Sequence, residues 1–169
     1  MGLLHIYCGD GKGKTTAALG LAIRAAGAGM KVHFTQFLKG DDTAELYTLE
    51  QIPSIIVRRC DKPYGFFPYL TEDEKAQITA CHNRLLEESF AEPADLVILD
   101  EFNASYALGA LDRTRAEALI RAAKPTTELV LTGRDPAAVF LEMADYISEI
   151  CCKKHPYDAG IDARQGIEY

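Results

Sequence analysis

The chain has 169 residues, with 18 Lys and Arg against 25 Asp and Glu, and therefore a formal net charge of −7. This length predicts one domain over residues 1–169, ending in a polar tail from about residue 153. The acidic balance argues against general nucleic-acid binding, which needs a basic face. No apolar run approaches the roughly 20 residues of a membrane span. Met1 leads directly into a predicted strand, so we expect a cytoplasmic protein without a signal peptide.

The five cysteines are odd in number and contain no Cys-x-x-Cys pair. We therefore expect reduced, small hydrophobic side chains, as is usual in the cytosol, and no zinc site. Cys151 and Cys152 are adjacent, and we expect them to alternate between the two faces of a strand.

The first predicted strand, Leu3–Cys8, ends in a loop rich in glycine and lysine, and a helix is predicted over Lys14–Ala28. Strand, loop, Lys-Thr and helix in this order are typical of the phosphate-binding P-loop, although Cys8 stands where the usual pattern has glycine. The alternative is a plain glycine-rich turn. In the P-loop interpretation, backbone amides and the helix dipole bind an anion. The predicted nucleotide-binding residues of the loop are Gly9, Asp10, Gly11, Lys12, Gly13, Lys14, Thr15 and Thr16.

Strand-like runs then alternate with helical stretches, which predicts a mainly parallel six-stranded α/β sheet. The later predicted strands are 31–37, 54–59, 95–99, 128–132 and 146–150, and the later predicted helices are 71–90, opening on a capping box, and 114–123. The segments 38–47 and 60–70 have no predicted element. Loops at the carboxyl ends of such strands are where open α/β sheets bind ligands.

The predicted fourth strand is a buried apolar run that ends in Asp100 and Glu101, as in a Walker B motif. Asp100 and Thr15 are predicted to hold Mg²⁺. Glu101 has two interpretations, as a residue that orients a water molecule or as a carboxylate that solvates the edge of the metal site or caps the helix near Asn103.

Three other side chains are candidates for ligand contact. Lys39, after the second strand, either reaches phosphate or is solvated. Arg134, after the fifth strand, is predicted to contact phosphate. His155 is the histidine predicted to lie near a ligand, whereas we expect His82 to be exposed on its helix. His5 and His33 are predicted to be structural.

Four blocks of the sequence together resemble the P-loop ATP:corrinoid adenosyltransferases. They are the P-loop with Gln36–Gly40, Leu99–Asn103, Leu131–Arg134 with Ala144–Asp145, and the tail blocks Lys154–Ile161 and Gln165–Tyr169. They occur in the family's order and cover essentially the whole chain.

The resemblance implies a RecA-like P-loop fold, in a homodimer, with ATP, Mg²⁺ and a corrinoid as ligands. The implied reaction is attack of Co(I) on the ribose 5′ carbon of ATP, with triphosphate as the leaving group. Lys14, Glu101 and Arg134 are then the catalytic candidates, and Lys39, Asn103 and His155 join the ligand-binding set. The resemblance also makes Glu101 a metal or ribose ligand and not a hydrolytic base. A flavoprotein reductase is the implied electron donor. In relatives the triphosphate is bound in the reverse sense to ordinary P-loop ATPases.

The corrinoid side of the resemblance concerns an aromatic segment. Relatives keep one face of the corrinoid dry with aromatic residues, and here Phe66, Phe67 and Tyr69 are the candidates. The alternative for these rings is ordinary loop packing. The chain has no Trp, where many relatives carry one. It also has Ala163–Arg164 where Ala-Gln is usual, and its first strand lies near Met1 where relatives often carry an N-terminal extension.

Two other functions remain open from the sequence. One is a P-loop kinase or other phosphotransferase of RecA-like fold, and the other is a non-catalytic, nucleotide-dependent corrinoid-binding protein.

Overall fold

The computed structural model describes residues 1–39, 43–60 and 65–168. Six strands form one sheet in the order β3-β2-β4-β5-β1-β6, and every pairing between neighbours is parallel. The predicted α/β sheet is therefore confirmed, with strand ends that differ by no more than one residue from those expected. The strands are β1 (Leu4–Cys8), β2 (Val32–Gln36), β3 (Ile55–Arg59), β4 (Leu96–Asp100), β5 (Glu128–Thr132) and β6 (Tyr146–Glu149).

The helices of the described residues are α1 (Lys14–Gly27), α2 (Ala44–Leu49), α3 (Glu72–Ala91), α4 (Phe102–Ala107), α5 (Arg113–Ala123) and α6 (Ala138–Met143). The three long helices were predicted, and α3 opens on the predicted capping box between Thr71 and Glu74. The other three have 6 residues each. A run this short covers less than two helical turns, so no hydrophobic periodicity could reveal it.

Two apolar layers enclose the sheet. On one face, Ala18, Ala22 and Ala25 of α1 pack with Leu46 and Leu49 of α2 over the central strands. Small alanines let α1 approach the sheet closely, which brings the loop before it to the sheet's edge. On the other face, α3 to α6 contribute a cluster that includes Leu85, Leu86, Phe102, Ile120 and Phe140. In the described part of the chain, no helix is both long enough and apolar enough to cross a bilayer.

The prediction of reduced cysteines is wrong for one pair, because Cys60 and Cys81 form a disulfide. Cys60 follows β3 and Cys81 lies in α3, and the packing of this helix beside β3 brings their Cα atoms to 6.3 Å. This distance lies within the range that a disulfide requires. Cys151 and Cys152 are free, and they lie after the end of β6 and not within a strand.

The prediction that His82 is exposed is also wrong, since its side chain is fully buried. His82 stands four residues after Ile78 and four before Leu86, so it shares the buried face of α3 with them. The helical spacing was visible in the sequence, but the residue type favoured an exposed position.

Candidate active site

A cleft of about 540 Å³ opens at the carboxyl ends of the central strands, where the loop after β1 meets the start of α1. Three lysines enter it, together with three glutamates. It is lined by Gly11, Lys12, Gly13, Lys14, Thr15, Thr16, Leu19, Lys39, Ala44, Glu45, Glu101, Gly166, Ile167 and Glu168. Six of the eight predicted P-loop residues therefore line one cleft.

The first part of the P-loop is shaped by a close approach to the chain that leaves β6. Gly9 has φ +99°, and a Cβ added to it would lie 2.5 Å from the carbonyl oxygen of Ile150. The Gly11 amide donates to that same oxygen at 2.7 Å. Asp10 accepts from the Cys152 amide at 2.9 Å. The expectation that successive loop amides point at an anion is thus wrong for Gly11, because this amide holds the loop against the chain that leaves β6.

The second part of the loop presents cationic groups to the cleft. Gly13 has φ +124° and precedes the first residue of α1, with no side chain to cap the helix. The first amides of a helix have no intrahelical partner, so this end of α1 favours an anion. Lys14 is 9 % exposed, and its Nζ donates to the Gly11 carbonyl at 2.9 Å. Its ammonium is therefore held over the loop.

Asp100 forms the floor of the site at the end of β4 and is fully buried. Its Oδ1 accepts from Thr15 Oγ1 at 2.9 Å and from Thr132 Oγ1 at 2.6 Å. Its Oδ2 accepts from Lys39 Nζ at 3.0 Å. This carboxylate joins the P-loop helix, β4, β5 and the loop after β2.

A hydroxyl and a carboxylate side by side are hard oxygen ligands of the kind that Mg²⁺ prefers. The described residues contain no group of three or more His, Cys, Asp or Glu side chains that could hold a metal ion by themselves. The Thr15–Asp100 pair fits a magnesium ion that takes its remaining ligands from phosphate and water, as is usual for this ion.

Lys39 is not solvated, which removes one of its two interpretations. Its side chain is 24 % exposed, lies 3.0 Å from Asp100 and has Glu45 Oε1 at 3.7 Å. Burial alone would lower the pKa of Lys39, but the negative charge of Asp100 and the hydrogen bond to it raise this pKa above its ordinary value. Glu45, at the start of α2, also accepts from Gln36 Nε2 at 3.0 Å.

Glu101 turns out of the sheet in a left-handed conformation, with φ +57°. Its amide donates to Thr132 Oγ1 at 3.0 Å, which fixes the turn. Burial first, and then the neighbouring charge of Asp100, raises the pKa of the Glu101 carboxyl. It precedes α4 without a side-chain capping hydrogen bond, so the capping interpretation does not hold.

Asn103 and Arg134 lie beside the cleft and not in its lining. Asn103 is 1 % exposed, and its buried Oδ1 has no hydrogen-bond partner among the residues that the structure describes. Gly133, with φ +126°, packs against it, since an added Cβ would lie 3.2 Å from the Asn103 Cβ. Arg134 is exposed, and its positive charge acts on both Asp10 and Glu101.

The three predicted aromatic residues divide into two groups. Phe67 is 7 % exposed and packs with Ile78 and Ala110, so ordinary packing describes this ring. Phe66 and Tyr69 are 67 % and 87 % exposed, with ring centroids 5.5 Å apart. They form an outward-facing aromatic pair. His155 also lies outside the cleft lining, where its Nδ1 accepts from the Tyr157 amide.

Sequence reasoning missed Leu19, Glu45 and the tail residues Gly166–Glu168 as parts of the cleft. The tail turn is closed by hydrogen bonds from the amides of residues 167 and 168 to the Arg164 carbonyl. The Arg164 guanidinium pairs with Glu168 at 3.0 Å and lowers the pKa of that carboxyl to about 2. The tail was expected to form a family signature, but nothing local in it indicated where it would fold.

Solved structures with a similar fold are P-loop ATPases of low sequence identity. A KaiC-like protein from Pyrococcus horikoshii matches with TM-score 0.52 and 15 % identity, over 90 % of this chain and 73 % of that one. ATPases 2 and 3 of EssC from Geobacillus thermodenitrificans match with TM-score 0.54 and 16 % identity, over 98 % of this chain and 35 % of that one. These likenesses support the predicted RecA-like P-loop fold.

Sequence relatives are more specific. The corrinoid adenosyltransferase of Pseudomonas aeruginosa is 34 % identical over 99 % of this chain and 84 % of its own length. The corrinoid adenosyltransferase CobA of Salmonella typhimurium is 32 % identical over 99 % of this chain and 86 % of its own length. A family model described as ATP:corrinoid adenosyltransferase BtuR/CobO/CobP matches residues 1–169. The chain therefore belongs to the ATP:corrinoid adenosyltransferase family.

Proposed function

We propose that this protein transfers the 5′-deoxyadenosyl group of ATP to the cobalt of a reduced corrinoid. A bond forms between Co(I) and the ribose 5′ carbon while the carbon–oxygen bond to the triphosphate breaks. The bonding electron pair leaves with the triphosphate oxygen, and the cobalt becomes formally Co(III). The observation that supports this function best is a phosphate cleft with three lysines in a chain that matches the family over its whole length.

The residues of the cleft suit a reaction in which an anion leaves and its negative charge must be stabilised. Lys12 and Lys14 line it, the open amino end of α1 faces it, and Lys39 enters from the loop after β2. Preorganised positive groups of this kind stabilise charge that develops in the transition state. Arg134 adds a cation at the rim, where it already interacts with Glu101.

Thr15 and Asp100 would hold Mg²⁺, which when bound would neutralise charge on the triphosphate. The position of Asp100 suits a cation, because its Oδ2 accepts a hydrogen bond from the ammonium group of Lys39. Glu101 and Asn103, at the same end of β4, are proposed to contact the metal's water or the ribose. No general base is required of Glu101, since Co(I) is itself the nucleophile.

The acceptor side is proposed to involve the exposed pair Phe66 and Tyr69. A flat apolar face would exclude water from the lower side of a corrinoid. We further propose a cytoplasmic homodimer that receives its electron from a flavoprotein reductase, and a single domain over the chain.

The test is incubation of the protein with MgATP and chemically reduced corrinoid. The visible spectrum should change to that of an adenosylcorrinoid, and triphosphate should appear in equal amount. ADP with a phosphorylated acceptor would instead establish a phosphotransferase. Binding of both ligands without product would establish a non-catalytic binding protein.

Lys14→Met gives a sharper test of the leaving-group role. We expect kcat to fall about 10²- to 10³-fold, the loss typical when one preorganised donor is removed. Lys75→Met is the matched control, because Lys75 pairs with Glu72 on α3 and does not line the cleft. Equal turnover of the two variants would contradict the mechanism.

A further inference from the structure

Lys39 reaches the floor of the cleft from an unusual backbone conformation. The residue before it, Leu38, has φ +53°, a left-handed value that costs energy for a side chain of this size. Such a conformation persists where the surroundings impose it. The direction in which the chain leaves this residue places the Lys39 ammonium 3.0 Å from Asp100.

The group that holds this turn is His82 of α3. The Leu38 amide donates to His82 Nε2 at 3.3 Å. An accepting Nε2 leaves the proton of the neutral ring on Nδ1, which lies 3.2 Å from the Ala110 carbonyl and 3.0 Å from Ser105 Oγ. The ring is fully buried, and both of its nitrogens hydrogen-bond to groups outside α3.

Side-chain packing also fixes the position of Phe37 and Leu38. The Phe37 ring meets His82 edge-on, with centroids 5.3 Å apart. The Leu38 side chain packs against a cluster that contains Phe67 and Ile78. The Leu38 side chain is therefore anchored in this cluster, while its backbone leads directly into Lys39.

We propose that His82 is a positioning residue of the phosphate site: it holds the Leu38 amide, and thereby directs Lys39 onto Asp100. The role is distant from the reacting atoms and acts through Lys39 alone. It rests on the proposed function only in that the cleft binds the phosphates of ATP.

Two variants of similar polarity separate this role from simple packing. In His82→Gln the longer side chain can present its carbonyl oxygen near the position of Nε2. In His82→Asn the shorter side chain can satisfy Ala110 but does not reach Leu38. MgATP binding to the full chain is measured by titration calorimetry for both variants, for Lys39→Met, and for each His82 variant combined with Lys39→Met.

We expect His82→Asn to weaken MgATP binding about tenfold or more, as for a lost charge-assisted contact, and His82→Gln to bind close to the wild type. In the Lys39→Met background, His82→Asn should cause no further loss, because the group through which it acts is gone. A purely structural role would give losses that add in the double variant.

Additive losses, or equal binding by the wild type and a folded His82→Asn variant, would overturn the proposal. Thermal unfolding of each variant establishes that it is folded. If His82→Asn does not fold, a clear loss of MgATP binding by a folded His82→Gln variant would overturn the proposal. Loss of adenosyl transfer with this binding pattern intact would refute the proposed reaction and leave the positioning role standing. No MgATP binding by the wild type would overturn both.

Discussion

Lowering the pH from 7 to 5 should destabilise this protein through His82. In the unfolded chain the imidazole takes up a proton near its ordinary pKa of 6.5, whereas burial lowers the pKa of the folded ring to about 4. Well above pH 6.5 both states are neutral and the ring adds nothing. Between these values the unfolded state binds more protons, so the free energy of unfolding falls as the pH falls. The loss is about 2 kcal/mol at pH 5 and about 3 kcal/mol once the pH is below 4.

Urea unfolding at pH 7, 6 and 5, without reductant, measures this effect in the wild type and in His82→Gln. Other groups, including the buried His33, titrate in both proteins and cancel in the difference. The stability difference between the two proteins should therefore change by about 2 kcal/mol from pH 7 to pH 5. NMR titration of the His82 ring gives the same information without a variant. Parallel pH profiles, or a ring that protonates near pH 6.5, would refute the neutral, Leu38-bound imidazole.

Three further outcomes are expected. The double variant Cys60→Ser/Cys81→Ser should lose about 3 kcal/mol in urea unfolding, because the disulfide closes a loop with a sequence separation of 21; dithiothreitol should destabilise the wild type similarly and leave the variant unchanged. Ile167→Ala should raise the KM for ATP about tenfold with little change in kcat, because the side chain lines the cleft; an unchanged KM would argue against a tail contact with nucleotide. In thermal denaturation Gly9→Ala should cost about 1–3 kcal/mol, given its φ of +99° and the carbonyl 2.5 Å from an added Cβ. Gly20→Ala should be neutral or stabilising, because an added Cβ would have no neighbour within 4 Å among the described residues outside its own helix backbone.

Much of the fold could be predicted because it depends on residue patterns within short segments of the chain. The clearest case is β4, which is apolar up to Asp100 because both of its faces are covered. The P-loop was recognisable because its glycines, lysines and threonines act within eight consecutive residues, Gly9–Thr16. Thr15 and Asp100 could be paired from the sequence, since parallel strands end at the same edge of a sheet.

The tertiary structure decided the features that depend on residues far apart in the chain. The Gly11 amide donates to the Ile150 carbonyl, and Gly166–Glu168 line one side of the cleft. The Cys60–Cys81 bond likewise depends on how one helix packs beside a strand.

His82 shows the same division within one residue. Its helical position was visible in the sequence, but its role depends on Leu38, 44 residues earlier. The sequence by itself determined the family, the sheet and the P-loop, because these follow from spacing along the chain. Only the tertiary structure decided that the Gly11 amide bonds to Ile150, that His82 is buried and that the tail lines the cleft, because a hydrogen bond or contact between distant segments leaves no periodic signal in either of them.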